Sequence, residues 1–231
     1  MLNNLPLILN IDTATESASV CLSDNEGIFA LEENLVQKEH ASFIHEAIKK
    51  VMNEAGKSLA DVDAIAITAG PGSYTGLRVG MSTAKGLCYV LKKPLITINT
   101  LKVMAHAAID SVDNFEQKST TLFCPMIDAR RLEVFTALYN SSLEVVFPPC
   151  AMVLEPTSFN EWLEPSQIIF SGSGSEKFEK MANHINIITK KVAYSALHLS
   201  YLAQVEYKLN TFANLAYVEP IYIKAFYSTQ K

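Results

Sequence analysis

The run Gly70-Pro71-Gly72-Ser73-Tyr74-Thr75-Gly76-Leu77-Arg78-Val79-Gly80 constrains this chain more than any other stretch. Four of the chain's nine glycines fall within it, directly behind an apolar segment. Residues 62–68 read as a buried strand, and the pattern from Thr75 to about Leu91 reads as a helix, so Gly70, Pro71 and Gly72 mark a sharp strand-to-helix turn. Backbone N–H groups at such a turn face the positive end of a helix and suit an anion or phosphate. Two features favour close packing instead. Gly76, Gly80 and Ala84 recur every four residues and thin one helix face, and the lysine of a nucleotide-binding P-loop is missing.

Around this turn the pattern is β-β-β-α-β-α-β. Residues 7–11 and 18–22 form a hairpin across Asp12-Thr13-Ala14-Thr15, and residues 28–33 return as a third antiparallel strand. Residues 40–55 place Phe43, Ile44, Ala47, Ile48, Val51 and Met52 on one helical stripe that stops at Gly56. A strand over 94–98 and a short helix over 100–109 follow, and residues 110–119 read as a surface loop. Residues 121–127 and 133–139 form a second hairpin around Asp128-Ala129-Arg130-Arg131. Its likeness to the first suggests two similar halves, with lobes at 1–105 and 106–231 and the final segment a candidate to pack back on the first lobe. Strands over 167–170 and 185–188, a helix over 195–209 and an extended piece over 217–226 complete the chain.

With 231 residues, 49% of them hydrophobic, the chain can bury a real core. Its first six residues do not resemble a signal peptide, and no apolar run reaches the ~18 residues of a membrane span, so a cytoplasmic protein is expected. Cys21, Cys88, Cys124 and Cys150 have no paired spacing and read as free thiols. A net charge of −5 without a basic block disfavours tight nucleic-acid binding by this chain alone, a contact that a basic partner could supply. Only Arg78, Arg130 and Arg131 among the nineteen cationic residues are arginine. Their placement fits multidentate bonding to a carboxylate, phosphate or carbonyl, with salt bridges inside the fold as the alternative.

The first hairpin with Ile11-Asp12-Thr13-Ala14-Thr15, the run from Gly70 to Gly80, the segment from Met126 to Phe135 and the late Pro220-Ile221-Tyr222-Ile223-Lys224 together resemble the bacterial TsaB (YeaZ) family in order and total length. The resemblance implies an α/β, actin-like ATPase (ribonuclease H-like) duplicated fold, with two lobes that each hold a mixed sheet flanked by helices. It also implies a non-catalytic subunit in the formation of threonylcarbamoyladenosine (t6A) at position 37 of tRNAs reading A-starting codons. In that family TsaD binds metal and transfers the threonylcarbamoyl group, TsaB supports it through a helical interface, and TsaE adds an ATPase.

On the residues themselves, catalysis has little to stand on. His40 and His45 lie five apart, a rotation of about 140° on a helix, so they do not grip one ion, and His106, His184 and His198 are solitary. No metal site is expected. Asp12 and Thr13 take the first phosphate-turn position of actin-like folds and, with Gly70, Gly72, Arg130 and Arg131, are the candidates for nucleotide or phosphate contact. The plainer account of Asp12 and Thr13 is that they cap their own turn. At the second Asp turn the glycine of an active clamp is replaced by Ala129, Arg130 and Arg131, while Gly172-Ser173-Gly174-Ser175 is a short candidate contact. Ser73 and Thr75 have no neighbouring base. No cofactor is expected beyond weak ATP or ADP contact.

The expected TsaD interface comprises Phe43, Ile44, Ala47, Ile48 and Val51 on one helix and Ser73, Gly76, Leu77, Gly80, Met81, Ala84 and Cys88 on the next, with packing on the chain's own sheet as the alternative. A homodimer is expected where TsaD is absent. An autonomous ATPase or small-molecule kinase using Asp12, Thr13 and Asp128 is the competing function. A peptidase, suggested by an old family name, lacks a nucleophile–base or metal constellation.

Overall fold

A computed structural model describes residues 5–34, 40–113 and 120–224. The chain divides into two units, one of residues 1–103 with 194–220 and one of residues 104–193 with 221–231. The division falls inside a helix, and residues 194–220 group with the first unit.

The first unit opens with three antiparallel strands, β1 (Ile8–Asp12), β2 (Ala18–Ser23) and β3 (Ile28–Asn34). Helix α1 (His40–Glu54), β4 (Ala64–Gly70), α2 (Tyr74–Leu91), β5 (Leu95–Asn99) and α3 (Thr100–Asp110) follow, the last crossing into the second unit. The sheet order is β3-β2-β1-β4-β5, with β1 antiparallel to β2 and parallel to β4. Strands β1, β2 and β4 are buried along their whole length because both faces are covered. Leu9, Ile11, Val20 and Leu22 point into the cluster formed with Ile44, Val51, Met81 and Ala84 of α1 and α2. Ser19 points the other way and accepts a hydrogen bond from the Ala196 amide at the start of α6 (Ala196–Lys208).

The second unit repeats this plan. Strands β6 (Thr121–Asp128), β7 (Glu133–Tyr139), β8 (Val145–Val153), β9 (Gln167–Ser171) and β10 (Ile187–Lys190) lie in the order β10-β9-β6-β7-β8. Strands β6 to β8 are antiparallel, whereas β9 and β10 run parallel to β6, as β4 and β5 do to β1. One face buries Phe159, Phe170 and Phe178, whose rings meet at 4.8–5.2 Å between centroids. The other buries Phe123 and Ile169 against Ala108, Ile109 and Val112.

Three elements leave little trace in the sequence. Strand β8 carries Pro148 and Pro149, which argue against a strand but are tolerated at a sheet edge. Helices α4 (Asn160–Leu163) and α5 (Ser175–Glu179) are too short to show a helical period. The extended piece expected over 217–226 forms no strand through residue 224, and Tyr217 closes a turn onto Asn214 instead; its last two residues lie outside the described residues, as does most of the loop expected over 110–119.

Candidate functional site

Asp12 ends β1 and is 1% exposed. Its Oδ1 accepts from the Ala14 amide at 2.9 Å and from the Thr68 hydroxyl at 2.6 Å. Thr13, also buried, donates from Oγ1 to the Gly76 carbonyl at 2.8 Å. A Cβ on Gly80 would come within 2.2 Å of that Oγ1 and 2.8 Å of Ile67 Cδ1, so the small face of α2 is the seat of Thr13. Gly70 has φ 115°, a conformation suited to glycine, and begins the turn. At Gly72 a Cβ would lie 2.0 Å from the Ala14 carbonyl oxygen, and Ser73 N donates to the same oxygen at 2.6 Å. The glycine turn therefore lies directly on the β1–β2 hairpin, and its glycines permit that contact. Tyr194 closes the cluster by donating to Thr15 Oγ1 at 2.8 Å; burial, reinforced by the nearby Asp12 charge, pushes its phenol up.

The second Asp turn is built alike. Gly174 N donates to the Met126 carbonyl at 3.1 Å, and a Cβ on Gly172 would lie 2.4 Å from that oxygen. Gly172 and Gly174 thus serve packing on the β6–β7 hairpin. Ser173 Oγ accepts from the Asp128 amide at 3.0 Å, and Asp128 Oδ1 accepts from Arg130 N at 2.6 Å and from Lys177 Nζ at 2.5 Å. Burial works against ionisation of Asp128, but the hydrogen bond and charge of Lys177, with the Arg130 amide, outweigh it and hold the carboxyl below its ordinary range. Arg130 (φ 72°) and Arg131 (φ 51°) are both left-handed and exposed. Thr68 and Lys177, which satisfy the two aspartates, were not legible in the sequence. Both are held at their partners by tertiary contact, 56 and 49 residues away along the chain.

Most of the residues named for the partner interface are turned inward, the packing on the chain's own sheet that was the alternative to direct contact. Ile44, Ala47, Ile48, Val51, Gly76, Leu77, Gly80, Met81, Ala84 and Cys88 are buried within the first unit, and Phe43 packs against the same core. The reason is that the sheet beneath needs a lid, and these are the apolar and small faces of the two helices. Ser73 is exposed and caps α2, its Oγ accepting from Gly76 N at 3.3 Å. What α2 turns outward is Tyr74, with Arg78 stacked 3.9 Å over its ring, then Ser82, Gly86, Tyr89 and Val90. Tyr89 and Val90 are 79% and 75% exposed, and nothing lies within 4 Å of a Cβ on Gly86.

The histidines have local surroundings. His106 faces Asp110 at 3.5 Å, His184 Nδ1 accepts from Asn186 N and His198 Nδ1 from Ser195 N, both at 3.2 Å. His45 is exposed, and the His40 side chain lies outside the described residues. Among the described residues no group of three His, Cys, Asp or Glu is placed to hold a metal ion, and no helix is long and apolar enough to cross a membrane.

Two sheets of identical strand order, each with an Asp hairpin under a glycine turn, define a duplicated actin-like, ribonuclease H-like fold. YeaZ from Pseudomonas aeruginosa superposes with a TM-score of 0.82 at 23% identity, over 94% of this chain and 100% of that one. An inorganic polyphosphate/ATP-glucomannokinase from Arthrobacter shares the fold more distantly, with a TM-score of 0.50 at 12% identity over 89% of this chain and 99% of the kinase. A sequence profile described as "TsaD: tRNA N6-adenosine threonylcarbamoyltransferase" matches residues 32–223. The "tRNA threonylcarbamoyladenosine biosynthesis protein TsaB" of Haemophilus influenzae is 31% identical over 96% of this chain and 95% of its own length. The Escherichia coli protein of the same name is 38% identical over 58% of this chain, a match spanning about half of that relative, 54%. The chain belongs to the TsaB (YeaZ) family.

Proposed function

We propose that this chain is the non-catalytic, supporting subunit in t6A formation at position 37 of tRNAs reading A-starting codons, acting in the cytoplasm on TsaD together with TsaE. One observation supports the non-catalytic part: at both Asp turns the chain's own donors already take Oδ1 of the aspartate, Thr68 and Ala14 at Asp12, Lys177 and Arg130 at Asp128. An ATPase of this fold needs such a carboxylate for Mg²⁺ or water, and needs backbone room at the glycine turn. That room is filled here by the Ala14 carbonyl. Nucleotide contact is accordingly weak, and the names of the relatives support the t6A role.

The docking surface on TsaD is the outward side of α2, around Ser82, Gly86, Tyr89 and Val90, where a small-residue strip beside two exposed apolar side chains lets a partner helix approach. In the absence of TsaD the same surface pairs with a second copy. Gly80→Arg does not test this, because Gly80 is buried against Thr13. Gly86→Arg does: its side chain enters open space, so melting is expected to stay near the parent's while co-elution with TsaD and modified adenosine in a TsaD–TsaE reconstitution are lost. Binding and modification at parental levels would remove the docking surface. Rapid ATP turnover by the isolated chain would replace the whole proposal with an autonomous ATPase or kinase.

A further inference from the structure

We infer that the β6–β7 turn holds the phosphodiester backbone of an RNA through Arg130 and Arg131; the inference rests on the tRNA role proposed above. Arg78 is engaged on Tyr74 within α2. The other two arginines are adjacent, exposed and, among the described residues, make no side-chain hydrogen bond or ion pair. The acids that flank them are already bound to lysines: Asp128 to Lys177 and Glu133 to Lys224, each at 2.5 Å. Lys177 also donates to the Arg131 carbonyl at 2.6 Å and so braces the turn. It is the Arg130 backbone amide, not its guanidinium, that bonds Asp128. Two guanidinium charges are therefore left in excess at one tip of a chain whose net charge is −5.

The backbone does not explain why arginine stands here. Consecutive left-handed residues, φ 72° and 51°, crowd the Cβ of any side-chain-bearing residue, and asparagine or glycine serves such a position better. The arginines thus face outward at some expense to the turn. Their planar forks match phosphate oxygens, and an adjacent pair suits the repeated phosphates of one strand. Such contacts position a nucleic acid without reading its sequence. The acidic remainder of the chain confines the attraction to this tip and makes it matter only where a larger assembly already holds the RNA.

The test is Arg130→Asn with Arg131→Gly, which removes both charges and relieves the left-handed backbone. In the complex with TsaD and TsaE, binding of an unmodified tRNA transcript is followed by anisotropy over a salt series. The melting temperature and TsaD co-elution should match or exceed the parent's. The dissociation constant should rise about tenfold, and the slope of log affinity against log salt should become shallower by about 1.5. Arg130→Lys with Arg131→Lys should recover most of the affinity. Parental affinity and salt slope in the Asn–Gly variant overturn the inference. Loss of TsaD binding with RNA affinity unchanged also overturns it, by making the turn a contact for an acidic protein surface. Because binding is read directly, a parent complex that binds transcript without modifying it counts against the proposed function and leaves the turn's role decided by the same titration.

Discussion

Thr13 and Gly80 show how single residues fix the first unit. The Thr13 hydroxyl is bonded to the Gly76 carbonyl and lies where a Gly80 side chain would stand. Neither Thr13 nor Ile67 is exposed, so neither can swing aside. Gly80→Ala should therefore destabilise the protein by about 1–3 kcal/mol, seen as a lower denaturant midpoint at unchanged slope. Gly86→Ala, in the same helix but facing open space, should instead be neutral or stabilising by up to about 1 kcal/mol. Equal melting of the two variants would defeat the packing account. The four-residue spacing of Gly76, Gly80 and Ala84 was legible in the sequence as a thin helix face. Its counterpart was not, because Thr13 lies 63 residues from Gly76 along the chain.

At the level of elements, α2 connects the glycine turn to the sheet, and its start depends on Ser73. Ser73→Ala removes the acceptor for the Gly76 amide and should cost about 1 kcal/mol, while Ser73→Asp should retain most of the stability; thermal melts of the pair check this. The strands and helices of the first unit followed from short apolar runs, helical stripes and stop residues, all carried within a short window. In the second unit β8 escaped because its prolines suit an edge position that only the assembled sheet defines. The single-turn α4 and α5 exist through the contacts of Phe159, Leu163 and Phe178 with the core rather than through any period of their own.

Across the whole molecule, the free thiols report how well the two cores are closed. Burial pushes Cys21 and Cys88 up to about 12 and raises Cys124 further, while Cys150 on edge strand β8 is half-buried and raised less sharply. With a thiol-specific reagent at neutral pH the folded protein should label first at Cys150, and the other three should react only on unfolding. Early labelling of Cys21 or Cys124, mapped by mass spectrometry, would contradict the described packing. The two units also carry the same sheet order, a relation the sequence announced only through two Asp hairpins. By itself the sequence determined the succession of strands and helices, the glycine turn and the membership of a family, because these are written in local periodicity and short motifs. The tertiary structure alone decided that the apolar faces of α1 and α2 turn inward, that both aspartates are met by the chain's own donors, and that Arg130 and Arg131 stay exposed. Each of those outcomes depends on groups brought together from distant parts of the chain, where burial and charge pairing act on spatial neighbours rather than sequential ones.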